Sequence, residues 1–203
     1  MKILRSLAAT VGLIGSGGAS ASTAAYPFGE WAALWEETCG SPQAAYSVID
    51  HPVEHGWANA DLDDDEKALS IYESVQAVME GNSDTGKITG LFLLRQYEHP
   101  ERLAVFQELQ YLDQPEKYLL ACALYDFSAP DMSVRDLAKF SDERPIVDNS
   151  DKGLIVIDWP ERLEDLGRIR KTAGSIPAGH DAAWLYGSGV VLKTQYLVWE
   201  ETE

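Results

Sequence analysis

One short stretch has residue types and spacing that could carry out metal-dependent hydrolysis. The string HPVEH, which begins at His51, fits H-x-x-E-H, a zinc-protease pattern. In that chemistry His51 and His55 hold the metal and Glu54 acts as the base. However, Pro52 stands inside the motif and Gly56 ends it, so we expect one loose turn at most, whereas zinc ligation needs both histidines on one helix face. A metal-dependent hydrolase using His51, Glu54 and His55 is therefore the alternative hypothesis, and incidental metal binding by the two histidines stays open.

An acidic run further along resembles the first half of a calcium-binding loop. Residues 61–66 read DLDDDE, and D-x-D-x-D begins such a loop. A complete loop needs glycine at its sixth position and a bidentate glutamate at its twelfth. This chain has Glu66 and Tyr72 at those positions. Acidic residues also gather at helix N-termini, where they complement the positive end of the dipole, and we therefore predict that a helix begins here.

Motifs for nucleophilic catalysis are incomplete. A G-x-S-x-G nucleophile turn around Ser83 is not completed, because Thr85 stands at the position of the second glycine. His180 and Asp181 are neighbours, but adjacent side chains in a strand point to opposite faces, so we expect them to be solvated loop residues. No local pattern predicts a catalytic site, and the sequence predicts no cofactor.

The N-terminus has the layout of a secretory signal peptide. Lys2 and Arg5 supply a basic start, an apolar run extends from Leu7 to Ile14, and an A-x-A site follows at 19–21. The apolar run is shorter than the roughly 20 residues that a membrane span needs. We therefore predict a signal peptide over 1–21, one globular domain over 22–203, and a periplasmic or secreted location.

The charge balance excludes some partners and favours others. The chain has 16 Lys and Arg against 33 Asp and Glu, a net charge of −17. Loss of Lys2 and Arg5 with the signal peptide would leave 14 against 33, a net charge of −19. Such a chain repels phosphate backbones and anionic lipids, so neither nucleic acid nor a membrane surface is an expected partner. A basic protein is a possible partner, and the composition indicates no particular oligomeric state.

Two cysteines, Cys39 and Cys122, are the whole cysteine content of the chain. In an oxidising compartment, two cysteines with no third competitor are expected to form one disulfide. The alternative is a pair of buried free thiols. The bond would join the end of an aromatic helix to the middle of an apolar strand.

The periodicity of apolar residues predicts a mixture of helices and strands. Helical spacing and end signals predict helices over 28–39, 42–50, 64–80, 133–140 and 160–172. Alternation and continuous apolar runs predict strands over 88–97, 103–109, 118–127, 154–159 and 190–199. Residues 100–112 also fit a helix that begins at Pro100, and this alternative remains open.

Together these elements predict an α+β fold. We expect a single domain with an antiparallel sheet of about five strands, helices packed on one face, and one disulfide. The sequence leaves the function open. A non-enzymatic exported acidic protein that binds a macromolecular partner in the cell envelope is the leading hypothesis, ahead of a purely structural envelope component and of the hydrolase alternative.

Overall fold

A computed structural model describes residues 26–80, 86–113, 116–130, 132–140, 146–149, 155–160, 168–176 and 189–199. The predicted signal peptide, the turn around Ser83 and the His180–Asp181 pair lie outside these residues.

One antiparallel sheet organises the described chain. Its eight strands lie in the order β1-β2-β3-β4-β8-β7-β6-β5, and every neighbouring pair is antiparallel. The strands are β1 Trp57–Asn59, β2 Gly86–Gln96, β3 Arg102–Tyr111, β4 Lys117–Asp126, β5 Ile146–Asn149, β6 Ile155–Pro160, β7 Arg168–Ile176 and β8 Gly189–Trp199. The predicted antiparallel α+β fold is confirmed, and the sheet has more strands than the five expected.

Within the described ranges, four α-helices accompany the sheet: α1 Phe28–Cys39, α2 Pro42–Asp50, α3 Glu66–Glu80 and α4 Val134–Leu137, with 3-10 turns at Pro52–His55 and Ala138–Phe140. Trp31, Trp35 and Cys39 recur every four residues along α1 and are buried, as an inward-facing helical stripe requires. Ser41 caps α2 by accepting a hydrogen bond from the Ala44 N–H at 3.1 Å. The predicted start of α2 is therefore produced by ordinary capping chemistry.

The helices cover both faces of the sheet. Successive strand residues such as Leu93 and Leu94 belong to different apolar clusters, because side chains alternate across a sheet. The Leu94 cluster includes residues of α1, α2 and α4, whereas Ala68 and Ile71 of α3 pack in the Leu93 cluster. The expectation that helices pack on one face holds for α1, α2 and α4 and is corrected for α3.

A disulfide joins Cys39 to Cys122, as predicted, with their Cα atoms 5.5 Å apart. Cys122 lies in the middle of β4, opposite Phe106 of β3 and Thr194 of β8, and both cysteines are fully buried. The Tyr196 hydroxyl donates a hydrogen bond to the Cys39 carbonyl. The end of α1 is thus held on the centre of the sheet by a covalent bond and by a hydrogen bond.

Three segments differ from the sequence prediction or decide between its alternatives. Residues 102–111 form β3, so the strand interpretation of 100–112 is correct. The helix predicted over 160–172 is wrong where it is described, because residues 168–176 form β7 and pair with β8. Residues 146–149, for which neither a helix nor a strand was predicted, form β5. In these places pairing with neighbouring strands overrides the local sequence signals.

Within the described residues, no helix is both long enough and apolar enough to cross a bilayer.

Candidate functional site

The HPVEH stretch forms a single 3-10 turn over Pro52–His55. Gly56 ends the turn with φ of 78°, a left-handed conformation that glycine adopts without a Cβ penalty. His51, Glu54 and His55 are exposed, and His55 Nε2 lies 2.9 Å from Ser47 Oγ on the surface. One turn of this kind does not bring the two histidines onto one face of an α-helix, which the zinc motif requires.

The surroundings of these histidines supply no metal-binding constellation. Among the residues that the structure describes, no three His, Cys, Asp or Glu side chains are grouped so that they could hold an ion. The Ser47–His55 contact is solvent-exposed, and water competes for both groups. The metal role of His51 and His55 therefore stays a prediction, and the geometry adds nothing in its favour.

A different group of side chains converges at the start of α3. Residues 61–65 form a turn in which the Asp65 N–H donates to the Asp61 carbonyl at 2.8 Å. Asp65 Oδ1 then accepts the Ala68 N–H at 3.0 Å, which caps the helix. The acidic run that resembled a calcium loop is therefore a helix start, as its position before an apolar helical stripe predicted.

Asp65 also fixes an arginine from the neighbouring strand. Arg95 donates from Nε at 2.5 Å and from Nη2 at 2.7 Å to the two Asp65 oxygens. Burial raises the pKa of Asp65, but hydrogen bonds from Arg95 and from the backbone N–H groups of Ala68 and Lys67 together hold that pKa below its ordinary value. The Asp65 carboxylate is ionised at neutral pH, and both of its oxygens accept hydrogen bonds from the Arg95 guanidinium.

The second cation in this region is paired as well. Lys67 Nζ lies 2.6 Å from Glu101 Oε2, and the same ammonium lies 4.6 Å from the centre of the Phe127 ring. The Arg95 guanidinium carbon lies 5.4 Å from that ring centre. The Phe127 ring therefore supports both cations of the region, and each cation has its own carboxylate.

These groups line an open cleft of about 550 Å³, which we call the acidic cleft. Its lining residues are Asp61, Asp64, Asp65, Glu66, Lys67, Arg95, Pro100 and Glu101. Asp61, Asp64 and Glu66 form no ion pair with any described cation. The cleft therefore presents three uncompensated carboxylates, which attract cations and repel anions.

A second charged cluster is buried and belongs to the core. Asp126 is 1% exposed and accepts hydrogen bonds from Arg102 Nε at 3.0 Å and from the Tyr26 hydroxyl at 2.8 Å. Its other oxygen accepts the Ser128 N–H at 3.0 Å and the Ser128 hydroxyl at 2.6 Å. Burial raises the pKa of Asp126, but the bonds from Ser128, Tyr26 and Arg102 outweigh burial and leave the pKa lowered. Both carboxylate oxygens are satisfied, so this cluster joins three segments and offers no free group to a ligand.

Sequence reasoning found the acidic half of the cleft and missed its cations. Asp61 to Glu66 were recognised as an acidic helix start, but their contact with Arg95 spans 30 residues. Glu101 meets Lys67 across 34 residues. Residue spacing does not predict these two ion pairs, because they depend on how α3 lies against the sheet.

The sequence matches no known protein family, and neither curated proteins nor solved structures show a significant similarity to it.

Proposed function

We propose that this chain is a non-enzymatic acidic protein, exported to the periplasm or beyond the cell, that binds a basic macromolecular partner. The observation that carries the proposal is the acidic cleft, in which three carboxylates have no described counter-ion while Lys67 and Arg95 are already paired. A lysine or arginine side chain of a partner protein has the charge and hydrogen-bond donors that these carboxylates lack.

The net charge of the chain supports the same partner class. At −17, the chain attracts a cationic protein over a distance of several ångströms before contact, which raises the association rate at low salt. The largely buried Arg95–Asp65 pair gives the cleft one wall that is already positioned, and the Phe127 ring contacts the Arg95 guanidinium from outside the cleft lining. A small basic enzyme, for example a lysozyme-type hydrolase, is one suitable partner, and inhibition of such an enzyme is one form of the function.

Neutralising the cleft tests the proposal. The triple variant Asp61→Asn, Asp64→Asn, Glu66→Gln removes three charges with little change of shape. Exposed ion pairs contribute about 0.5 kcal/mol each, so the variant should bind a cationic lysozyme-type hydrolase about tenfold more weakly. Surface plasmon resonance at several salt concentrations measures this difference.

The matched control removes the same charge elsewhere. The variant Glu30→Gln, Glu37→Gln, Asp50→Asn changes three exposed carboxylates of α1 and α2, helices that pack on the other face of the sheet. We expect this control to lower the association rate slightly and to keep the dissociation rate of the parent protein. Equal loss of affinity in both triple variants would show that overall charge matters and that the cleft does not.

A further inference from the structure

Lys67 occupies one carboxylate of the acidic cleft in the free protein. Its ammonium lies 2.6 Å from Glu101 Oε2, and both residues line the cleft. Lys67 is the second residue of α3, where the positive end of the helix dipole disfavours a cation. The helix therefore gains nothing from a lysine at this position, and the charge of Lys67 serves the contact with Glu101.

The two ion pairs of the cleft differ in how easily they open. The side chains of Lys67 and Glu101 are 46% and 53% exposed and are joined through one carboxylate oxygen. Arg95 and Asp65 are 17% and 18% exposed and are joined by two hydrogen bonds. Water competes with an ion pair as exposed as the first, so little free energy is needed to open it. After opening, the Lys67 ammonium keeps the Phe127 ring, whose centre lies 4.6 Å away, as a second contact.

From this arrangement we propose that a lysine or arginine side chain of the basic partner displaces Lys67 from Glu101, so that Lys67 is an internal competitor that limits the affinity of the cleft. An arginine guanidinium can bond both Glu101 oxygens, whereas the Lys67 ammonium contacts one. Displacement adds Glu101 to Asp61, Asp64 and Glu66 as an acceptor for the partner's cations. The inference rests on the proposed function and adds the residue that sets the affinity of the same site.

Lys67→Gln tests the inference, and Lys139→Gln is its matched control. Lys139 pairs with Asp136 at 2.7 Å, the two side chains are 58% and 44% exposed, and they lie at α4, which packs on the face of the sheet opposite to α3. Each variant removes one positive charge and frees one exposed carboxylate. In surface plasmon resonance at low salt, Lys67→Gln should bind the cationic lysozyme-type hydrolase about fivefold more tightly than the parent, and Lys139→Gln less than about twofold more tightly.

A Glu101→Gln background shows whether Lys67 acts through Glu101. There the gain from Lys67→Gln should fall to that of Lys139→Gln, because the substitution no longer frees a carboxylate. No gain from Lys67→Gln, a gain equal to that of Lys139→Gln, or an undiminished gain in the Glu101→Gln background would overturn the inference and leave the proposed function standing. If the cleft triple variant binds the hydrolase as tightly as the parent does, the proposed function fails and the inference fails with it.

Discussion

Replacing Asp126 with alanine should be among the most damaging single changes in the described core. Asp126 is 1% exposed, and its ion-pair partner Arg102 is 7% exposed. The guanidinium carbon of Arg102 also lies 5.3 Å from the centre of the Trp31 ring, which fixes its position in the apolar cluster. The substitution would therefore leave a positive charge buried with no counter-ion.

The expected magnitude follows from that geometry. Removing one partner of a buried ion pair costs about 3–5 kcal/mol of the free energy of unfolding. Tyr26→Phe, which removes one bond to the same carboxylate, should cost about 1.5–3 kcal/mol. Replacing both ionic residues, as Arg102→Met with Asp126→Leu, should cost clearly less than the two single changes added together, because no unpaired charge remains.

Urea unfolding followed by tryptophan fluorescence measures these differences at neutral pH. A loss below about 1 kcal/mol in Asp126→Ala would show that Arg102 reaches water or another anion. Additive losses in the double variant would refute the view that the two side chains act as a pair. As a control that the native state is intact, the dependence of the unfolding free energy on urea concentration should be the same in each variant as in the parent protein.

Four further predictions concern the core and one turn. Cys39→Ala with Cys122→Ala should lower the free energy of unfolding by about 4–5 kcal/mol through lost loop constraint, measured in urea. Thr194→Val should raise it by about 1–2 kcal/mol, because the buried Thr194 hydroxyl has no hydrogen-bond partner among the residues that the structure describes; a loss would indicate a bound water. Gly56→Ala should cost about 1 kcal/mol, seen as a fall in Tm of about 2–4 °C, because φ is 78° with open space around the added Cβ. Folding lowers the pKa of Asp126, so the ionised carboxylate stabilises the protein above its unfolded pKa of about 3.9. That stabilisation is lost as the pH falls through the lower folded pKa. Asp126→Asn should therefore weaken the fall in the free energy of unfolding at acid pH, measured by urea unfolding over a pH series.

The sequence was informative where one local signal decided the structure. Helical spacing of Trp31, Trp35 and Cys39 predicted α1, and Ser41 followed by proline predicted the start of α2. The presence of two cysteines alone predicted their disulfide. For the two helices the physical cause lies within a few neighbouring residues. For the disulfide it is that the chain has two cysteines and no third competitor.

Local signals were misleading where strand pairing decided the structure. Arg168, Arg170 and Lys171 before Gly174 are typical of a helix C-terminus, yet they lie in β7, which pairs with β8 on one side and β6 on the other. Both neighbours fall on predicted strands, but residue spacing does not show that the segment between them pairs with both. The placement of α3 on the opposite face has the same origin, because a helix pattern does not specify which face of a sheet it covers.

For a related reason, the sequence predicted the acidic residues of the cleft and missed the cations that pair with two of its carboxylates. Charge patterning located Asp61 to Glu66, whereas Arg95 of β2 and Glu101 of the β2–β3 turn reach the cleft only through the folding of the sheet. Only the assembled sheet shows that the cations there are already paired. The distinction matters because unpaired carboxylates attract a partner and paired ones do not.

The most direct test of the central claim uses three baits made from the mature protein. The parent, the cleft triple variant and the control triple variant are immobilised and exposed at low salt to envelope extract from the source cells. The account predicts that basic proteins are retained by the parent and by the control, are released by high salt, and are largely lost from the cleft variant. Equal retention by all three baits, or no retention by the parent at low salt, would contradict it.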